Sequence, residues 1–335
     1  MIKKLLLKIL LKNRREKYIV NKTKINKIKK EAHKNQIHNF GKKNKDKTFY
    51  IIQKEGVGGL FTHLLFVLDH LLYCEKMKYT PVIDFKNFPT VYSEYNENSW
   101  EYYWEPVSKY SLEEVYKSKR VIFCDENRLT IRGYIKLKKE HHRIFKKYIK
   151  IKPFIEKEAK IFLKKNKFKK NKWIGLHWRG GDMKRAPGHP FPPTRKQITN
   201  LLNRYSKNKI IFVFVDELEN FNFLKDRYKN IVFIDTYRSK NSQGPHYDHK
   251  SFYGSRNYFK YTRDIFIQAL IISKLNFFIG GSSNISFAIK YLINKKIKYI
   301  NIDNGKNSKR LLYSFFLWRL KSLLPFILGG FKNYK

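Results

Sequence analysis

The chain has 335 residues, a formal net charge of +45 from 72 Lys and Arg against 27 Asp and Glu, and a hydrophobic fraction of 42%. This hydrophobic fraction is enough to fill ordinary cores, so the composition excludes a disordered or fibrous protein. The two distant cysteines, Cys74 and Cys124, exclude a disulfide framework and a structural zinc site, and they favour a reducing compartment.

The positive charge has two interpretations. It is spread along the chain together with abundant Asn and Ile, which is typical of a genome-wide compositional bias and of a solvated surface. The alternative is a polyanionic partner, namely an anionic membrane, a nucleotide phosphate or a nucleic acid.

Residues 1–47 are predicted to be a basic N-terminal tail that carries about +14 of the charge. As a helix, Met1–Lys12 would have apolar and basic faces suited to a membrane surface, although a frayed tail fits equally well. The segment is too short to span a bilayer and no cleavage site follows it, so no secretion signal is predicted. We expect a cytoplasmic protein that lies peripherally on the inner face of the membrane.

Residues 48–152 are predicted to form an N-terminal, acceptor-side Rossmann-like domain. It begins with a strand, a glycine turn, a helix and a second strand, at Thr48–Gln53, Gly56–Gly59, Leu60–Tyr73 and Thr80–Asp84. The aromatic and acidic stretch Tyr92–Tyr110 is predicted to be a loop-rich insertion near a binding face. A Lys-rich helical stretch, Lys136–Phe168, is broken by Pro153, which indicates a domain junction, and its His141-His142 pair is expected at the surface.

Residues 153–310 alternate strands and helices with short connections, which predicts a second Rossmann-like domain with a parallel sheet. The predicted strands are Trp173–His177, Ile210–Val215, Ile231–Ile234, Asn276–Ile279 and Ile297–Ile302. The predicted helices are Thr194–Ser206, Glu217–Tyr228, Tyr261–Lys274 and Asn284–Asn294. Residues 311–335 are amphipathic, too interrupted to span a bilayer, and expected to pack across both domains or to lie on a membrane.

Two polar turns follow predicted strands, where ligands bind in open parallel sheets. The first, His177-Trp-Arg179-Gly-Gly-Asp182, offers an Arg fork suited to a diphosphate, although an Arg–Asp pair that holds a strand end is the alternative. The second, Gly280–Ser286, offers Ser282 and Ser283 at a helix start, which an ordinary N-cap explains equally well.

A third turn, Gly56–Gly59, lacks the full G-x-G-x-x-G spacing, so NAD binding is not predicted. Gly58 and Gly59 could face a phosphate or an acceptor, or they could simply begin a helix. The sequence contains no zinc-protease motif, no Walker loop and no Asp-x-Asp triplet, so a metal-dependent site is disfavoured.

The His177–Asp182 turn resembles the His-x-Arg-x-x-Asp signature of the fucosyltransferase superfamily, which includes α1,6-, α1,2- and protein O-fucosyltransferases and the rhizobial nodulation fucosyltransferases. Three further stretches resemble other motifs of that superfamily in the same order along the chain, from the N-terminal glycine loop to the third motif. They are Gly56–His63, Phe212–Glu217, and Asp264 together with Gly281–Ser283.

The resemblance implies a GT-B fold, in which two Rossmann-like domains with parallel sheets face a central cleft. It also implies a metal-independent, inverting enzyme that uses GDP-fucose or a related donor and no cofactor. Arg179 would hold the β-phosphate, with His177 beside it in the motif, and Asp182 would assist at the sugar or the phosphate. Asp264 would contact the base or ribose, and Ser282 and Ser283 would bind the diphosphate.

The chain departs from the α1,6 branch after Asp182, because Met183 replaces a Lys and no carboxylate follows before Asp216. The general base is therefore unassigned, with Glu55 as the first candidate and Asp182 as the second. We predict a fucosyltransferase-like enzyme of surface-glycan synthesis with a glycan or lipid-linked glycan acceptor and an anionic membrane as partners. The alternatives are another sugar nucleotide donor, a basic nucleic-acid-binding protein, and an inactive glycan-binding relative.

Overall fold

The computed structural model describes residues 36–54, 58–94, 96–124, 138–240 and 257–334. The described residues form two compact units, with the boundary between Pro153 and Phe154. Each unit contains a parallel β-sheet with helices between its strands, so the predicted α/β class with parallel sheets is confirmed.

The first unit has a three-stranded parallel sheet in the order β2-β1-β3. Its strands are β1 (Phe49–Ile52), β2 (Thr80–Ile83) and β3 (Val121–Phe123). Strand β3 was not among the predicted strands because three residues are too few to show a period. Its side chains are all buried, and Val121 lies beside Phe49 of the central strand.

The helices of the first unit are α1 (Leu60–Met77), α2 (Leu112–Val115) and α3 (Lys138–Tyr148). Helix α1 is apolar on most of its surface and is accordingly buried along most of its length. Its C-cap residue, Lys78, adopts the left-handed conformation with φ 57°. The predicted strands and helix of this unit are thus present, with α1 one turn longer than expected.

The aromatic stretch predicted as an insertion contains one short 3₁₀ turn, Ser99–Tyr102. Its Trp100 and Trp104 rings are buried and stacked, with centroids 5.6 Å apart. The stretch lines a cavity of about 600 Å³ next to the edge strand β2. The insertion is therefore packed by its own aromatic side chains.

The prediction that His141-His142 is a surface pair is wrong for His141. The His141 side chain is fully buried, and its Nε2 lies 2.6 Å from Oδ1 of Asp69 on α1. Burial raises the pKa of Asp69, and the His141 contact opposes that rise. The lysines around His141 hid the buried position, because only one face of α3 points away from solvent.

The second unit has a five-stranded parallel sheet in the order β6-β5-β4-β7-β8. The strands are β4 (Trp173–Trp178), β5 (Ile210–Val215), β6 (Ile231–Val232), β7 (Phe277–Gly281) and β8 (Lys298–Ile302). All five strands were predicted, because β4 and β5 are buried apolar runs and turn residues bound the others. The first strand, β4, lies between β5 and β7, so the strand order reverses beside it.

Helix α4 (Pro153–Lys165) begins at the last residue of the first unit and otherwise belongs to the second. The other helices of the second unit are α5 (Arg195–Tyr205), α6 (Leu218–Arg227), α7 (Asn257–Ser273), α8 (Asn284–Phe287) and α9 (Leu311–Leu323). Helix α8 continues directly into a π-helical stretch, Ala288–Ile293. Pro153 does break the Lys-rich stretch, and it does so as the first residue of α4. A capping box of Thr194 and Gln197 begins α5. Among the described helices, none has the length and apolar character needed to cross a bilayer.

Candidate functional site

The carboxyl ends of β4 and β7 lie side by side where the strand order of the second sheet reverses. Leu176 of β4 pairs with Ile279 of β7, and His177 pairs with Gly280. In open α/β sheets this reversal leaves a crevice in which ligands bind. The two polar turns chosen from the sequence therefore leave the sheet at neighbouring positions in this crevice.

His177 ties the two turns together. Its side chain is buried, and its Nδ1 lies 2.8 Å from Oγ of Ser286 on α8. Burial, and secondly the charge of Arg179, lowers the pKa of His177 to about 3. The imidazole is therefore neutral at physiological pH and positions the turn that follows β7.

Arg179 lies between two carboxylates. Its Nη2 is 3.4 Å from Oδ1 of Asp182, and its Nε is 4.0 Å from Oδ2 of Asp216. About a quarter of the Arg179 side chain is exposed. Carboxylates on two sides orient the planar guanidinium, which can bind two phosphate oxygens at once.

A buried carboxylate, Glu217, fixes the turn that follows β4 through an ion pair with Lys184. Nζ of Lys184 lies 2.8 Å from both carboxylate oxygens of Glu217, and Asn220 also donates to Glu217. A Cβ on Gly180 would collide with this fixed carboxylate. Glycine is therefore required at position 180 by the close approach of the backbone to Glu217.

Asp216 is the site residue to which the sequence analysis assigned no role. Its Oδ1 accepts a 2.8 Å hydrogen bond from the backbone N–H of Gly180. Burial raises the pKa of Asp216 to about 7, with Arg179 as the main opposing influence. The available signal was its position directly after β5, the strand paired with β4.

The serine turn after β7 is held by internal hydrogen bonds. Oγ of Ser283 accepts from the Ser286 N–H at 3.0 Å and is the N-cap of α8. The Ser282 hydroxyl bonds with the side-chain amide of Asn301. The N-cap interpretation of Ser283, left open by the sequence, therefore describes its geometry.

Asp264 lies on α7 in an ion-pair group of its own. Nη2 of Arg263 is 3.2 Å from the buried Asp264 carboxylate, and Nε of Arg263 is 3.6 Å from Glu158 of α4. Helix α7 leads into β7 along the chain.

The candidate residues of the first unit lie at the start of α1. Glu55, the first candidate base, lies outside the described residues. Gly59 precedes α1 in an extended conformation without a side-chain cap, and a Cβ on Gly58 would lie 3.0 Å from Nε2 of His63.

Within the described ranges, no group of three or more His, Cys, Asp or Glu side chains is arranged to hold a metal ion.

No protein-family model matches the sequence, and no curated protein matches it. The fold is similar to a crystal structure of NodZ α-1,6-fucosyltransferase with GDP, at a TM-score of 0.50 and 13% identity, covering 77% of this chain and 96% of that one. This similarity confirms, at the level of the fold, the predicted resemblance to fucosyltransferases.

Two further structures are similar at lower TM-scores. NodZ from Bradyrhizobium has a TM-score of 0.44 and 13% identity, covering 73% of this chain and 94% of that one. A mutant of Arabidopsis thaliana FUT1 in complex with GDP has a TM-score of 0.45 and 10% identity, covering 87% and 77%.

Proposed function

We propose that the chain is a glycosyltransferase of the fucosyltransferase type with a GT-B arrangement. It transfers fucose from GDP-fucose to a glycan acceptor in surface-polysaccharide synthesis, without a metal and with inversion at the anomeric carbon. The observation that carries the proposal is Arg179, oriented by Asp182 and Asp216 at the switch point of the second sheet. The GDP bound in the NodZ crystal structure of similar fold supports a guanine nucleotide donor.

In this proposal residues 153–310 bind the donor and residues 48–152 bind the acceptor. Negative charge develops on the β-phosphate as GDP leaves, and Arg179 stabilises that charge through paired hydrogen bonds. His177 and Ser286 hold the serine turn in position beside it, where its backbone and hydroxyl groups bind the diphosphate. Asp264 contacts the base or ribose from α7.

The acceptor hydroxyl must lose a proton. Glu55 and Asp182 remain candidates for the general base, and the structure adds Asp216 because a pKa of about 7 suits proton transfer at neutral pH. Asp216 also touches the turn that carries Arg179, so its protonation and the charge on the phosphate are coupled.

A thermal-shift screen of the full chain with GDP, UDP, CMP and dTDP tests the donor. Ligands that bind only the folded state raise the melting temperature, so we expect a rise with GDP and none with the other three. A rise with UDP or dTDP instead would assign another sugar nucleotide. No nucleotide response together with tight RNA binding that weakens steeply with salt would contradict the proposal.

The proposed metal independence has its own test. Turnover should survive EDTA, because Arg179 supplies the positive charge that a divalent cation supplies in metal-dependent enzymes. Loss of turnover on chelation, restored by Mn²⁺ or Mg²⁺, would show that the diphosphate site has been misassigned.

A further inference from the structure

Helix α9 and the turn after it expose a continuous apolar surface, which we call the apolar ridge. Its helical members Leu312, Phe316, Leu320 and Leu323 are all more than half exposed and recur at i, i+4, i+8 and i+11, so they share one face. Tyr313 and the following Phe326, Ile327 and Leu328 extend the ridge, with Ile327 93% exposed. Apolar patches of this extent mark an interaction surface.

The opposite face of α9 is fixed to the second unit. The Trp318 indole donates to the Pro192 carbonyl at 3.1 Å, and the Asn307 amide donates to the Ser314 carbonyl at 2.9 Å. Nζ of Lys184 lies 5.2 Å from the centre of the Trp318 ring. The ridge is therefore presented on a helix that is anchored to the fold.

A basic cavity of about 610 Å³ lies at the flank of α9. Its lining includes Arg185, Lys196 and Arg319, and these three have no ion-pair partner among the described residues. The lining also includes Glu219, whose carboxylate pairs with Arg195. The sequence contains no Asp or Glu after Asp303. The apolar ridge is thus bordered by cations and by no carboxylate from its own segment.

We propose that the apolar ridge docks on an anionic phospholipid bilayer, with lipid phosphate groups in the basic cavity. Leu and Phe side chains on one face with Lys and Arg beside them are the composition of helices that lie in a membrane interface. Each cation near an anionic surface adds to this attraction. A second copy of the chain fits less well, because two ridges would bring their cations together, and the nearby Glu219 carboxylate already pairs with Arg195.

Vesicle sedimentation of the full-length chain tests the proposal, with phosphatidylcholine vesicles compared with vesicles that also contain phosphatidylglycerol. Salt screens the attraction of the basic N-terminal tail, so binding at about 0.5 M salt reports mainly apolar insertion. The triple variant Leu312→Ser, Phe316→Ser, Leu320→Ser should lose this salt-resistant binding by at least about tenfold. Ile161→Ser, at an exposed apolar position on α4, should bind like the wild type.

A second pair of variants tests the basic cavity at low salt. Arg185→Gln with Arg319→Gln should reduce the preference for anionic vesicles. Lys160→Gln with Lys164→Gln removes the same charge from exposed positions on α4 and should reduce it less. Equal losses in both pairs would show that net charge alone drives binding.

Other occupants predict other results. If the wild type sediments as a dimer, the triple variant is a monomer, and neither binds vesicles, then a second copy covers the ridge. If inorganic phosphate alone stabilises the chain through Arg185 and Arg319 while vesicles do not bind, the basic cavity takes a soluble anion. Either result would overturn the proposal, and neither result depends on which nucleotide the chain binds.

Discussion

The two sheets are built alike around their first strands, but the turns that follow those strands differ in chemistry. Strand β1 lies between β2 and β3, and β4 lies between β5 and β7. The described part of the first turn is Gln53, Lys54, Gly58 and Gly59, and a Cβ added at the two glycines would lie nearest to His63 and Tyr92 respectively. The second turn carries Arg179 and Lys184, which pair with carboxylates after β4 and β5. Lys54, in the described part of the first turn, lies over the Phe66 ring, with its Nζ 4.4 Å from the ring centre. The described cations of the two turns are thus held differently, against a ring in the first turn and by carboxylates in the second, which suits a division between acceptor and diphosphate.

The largest expected effect is at Arg179. Arg179→Lys should lower turnover at least about hundredfold, nearly as much as Arg179→Ala, because one ammonium cannot replace a bidentate fork. Each lost charge-assisted hydrogen bond costs about 1.5–3 kcal/mol. Steady-state kinetics and melting temperature should be measured on the same preparations, with Arg195→Lys on α5 as the matched control.

The split between kinetic constants adds information. The loss should fall on kcat if the Arg179 contact tightens as GDP leaves, and on GDP affinity if the contact is uniform. A folded Arg179→Lys protein with near-normal turnover would remove Arg179 from the mechanism and leave an Arg–Asp pair that only holds the end of β4.

The next largest effect contrasts the Lys184–Glu217 ion pair of the second unit with the exposed ion pairs of Glu75 in the first unit. Lys184→Met leaves Glu217 buried without its cation and should cost about 3 kcal/mol of unfolding free energy. Lys147→Met, which removes one of two cations from Glu75 at the surface, should not change stability measurably. Chemical denaturation measures both.

A double variant sharpens this test. Lys184→Met with Glu217→Gln removes both charges, so it should recover part of the lost stability. If Lys184→Met and Lys147→Met behave alike, the charges around the second turn are solvated and the contrast between the two units is lost.

The pH dependence of stability should have opposite signs at Asp216 and Glu75. The pKa of Asp216 is raised to about 7 in the folded state, so the unfolded chain loses this proton first as the pH rises from about 4. Folding therefore loses stability between pH 4 and 7, by at most about 1.4 kcal/mol per pH unit. Asp216→Asn should remove that loss, so its stability relative to wild type should increase with pH across this window.

Glu75 provides the matched comparison. Hydrogen bonds from Arg143, and then from Lys147, lower the pKa of Glu75 to about 2. The Glu75 carboxylate therefore stabilises the fold above its ordinary pKa, and this contribution disappears as the pH falls from about 4 to 2. The unfolding free energy of Glu75→Gln should differ from that of wild type at pH 7 and converge with it at pH 2.

The contradicting outcome for Asp216 is a pair of parallel curves of stability against pH, for Asp216→Asn and wild type, between pH 4 and 7. Such curves would show that Asp216 is solvated.

Local patterns in the sequence predicted the strands of the second unit, because a buried parallel strand is a continuous apolar run such as Ile210–Val215. The same patterns predicted that Arg179 follows a buried strand, and the structure places it directly after β4 beside β7. Its role in binding stays a prediction. They missed β3, which has three residues, and they placed His141 at the surface. The buried partner of His141, Asp69, is 72 residues away, so only the fold reveals the pair.

The Asp216 environment was unpredictable for the same reason. Its pKa depends on burial and on Arg179, which follows a neighbouring strand in space and precedes Asp216 by 37 positions in the sequence. Sequence patterns show which edge of a sheet carries polar groups, and the distances between those groups decide their protonation.

The smallest expected effect compares one glycine from each turn. Gly180→Ala would push a Cβ into the Glu217 carboxylate, which Lys184 holds on both oxygens, so the turn must shift. We expect a cost of about 1–3 kcal/mol in unfolding free energy, typical of overpacking, together with weaker GDP binding because Arg179 leaves its position.

At Gly59 the backbone is already extended, and the nearest atom to an added Cβ, the Tyr92 hydroxyl, is 3.7 Å away. Gly59→Ala should therefore leave stability within about 0.5 kcal/mol of wild type. Thermal denaturation with and without GDP distinguishes these outcomes. Equal tolerance of alanine at both positions would mean that the Glu217 carboxylate moves aside for the added Cβ. The second turn would then be no more rigid than the first, and the contrast between the two turns would rest on composition alone.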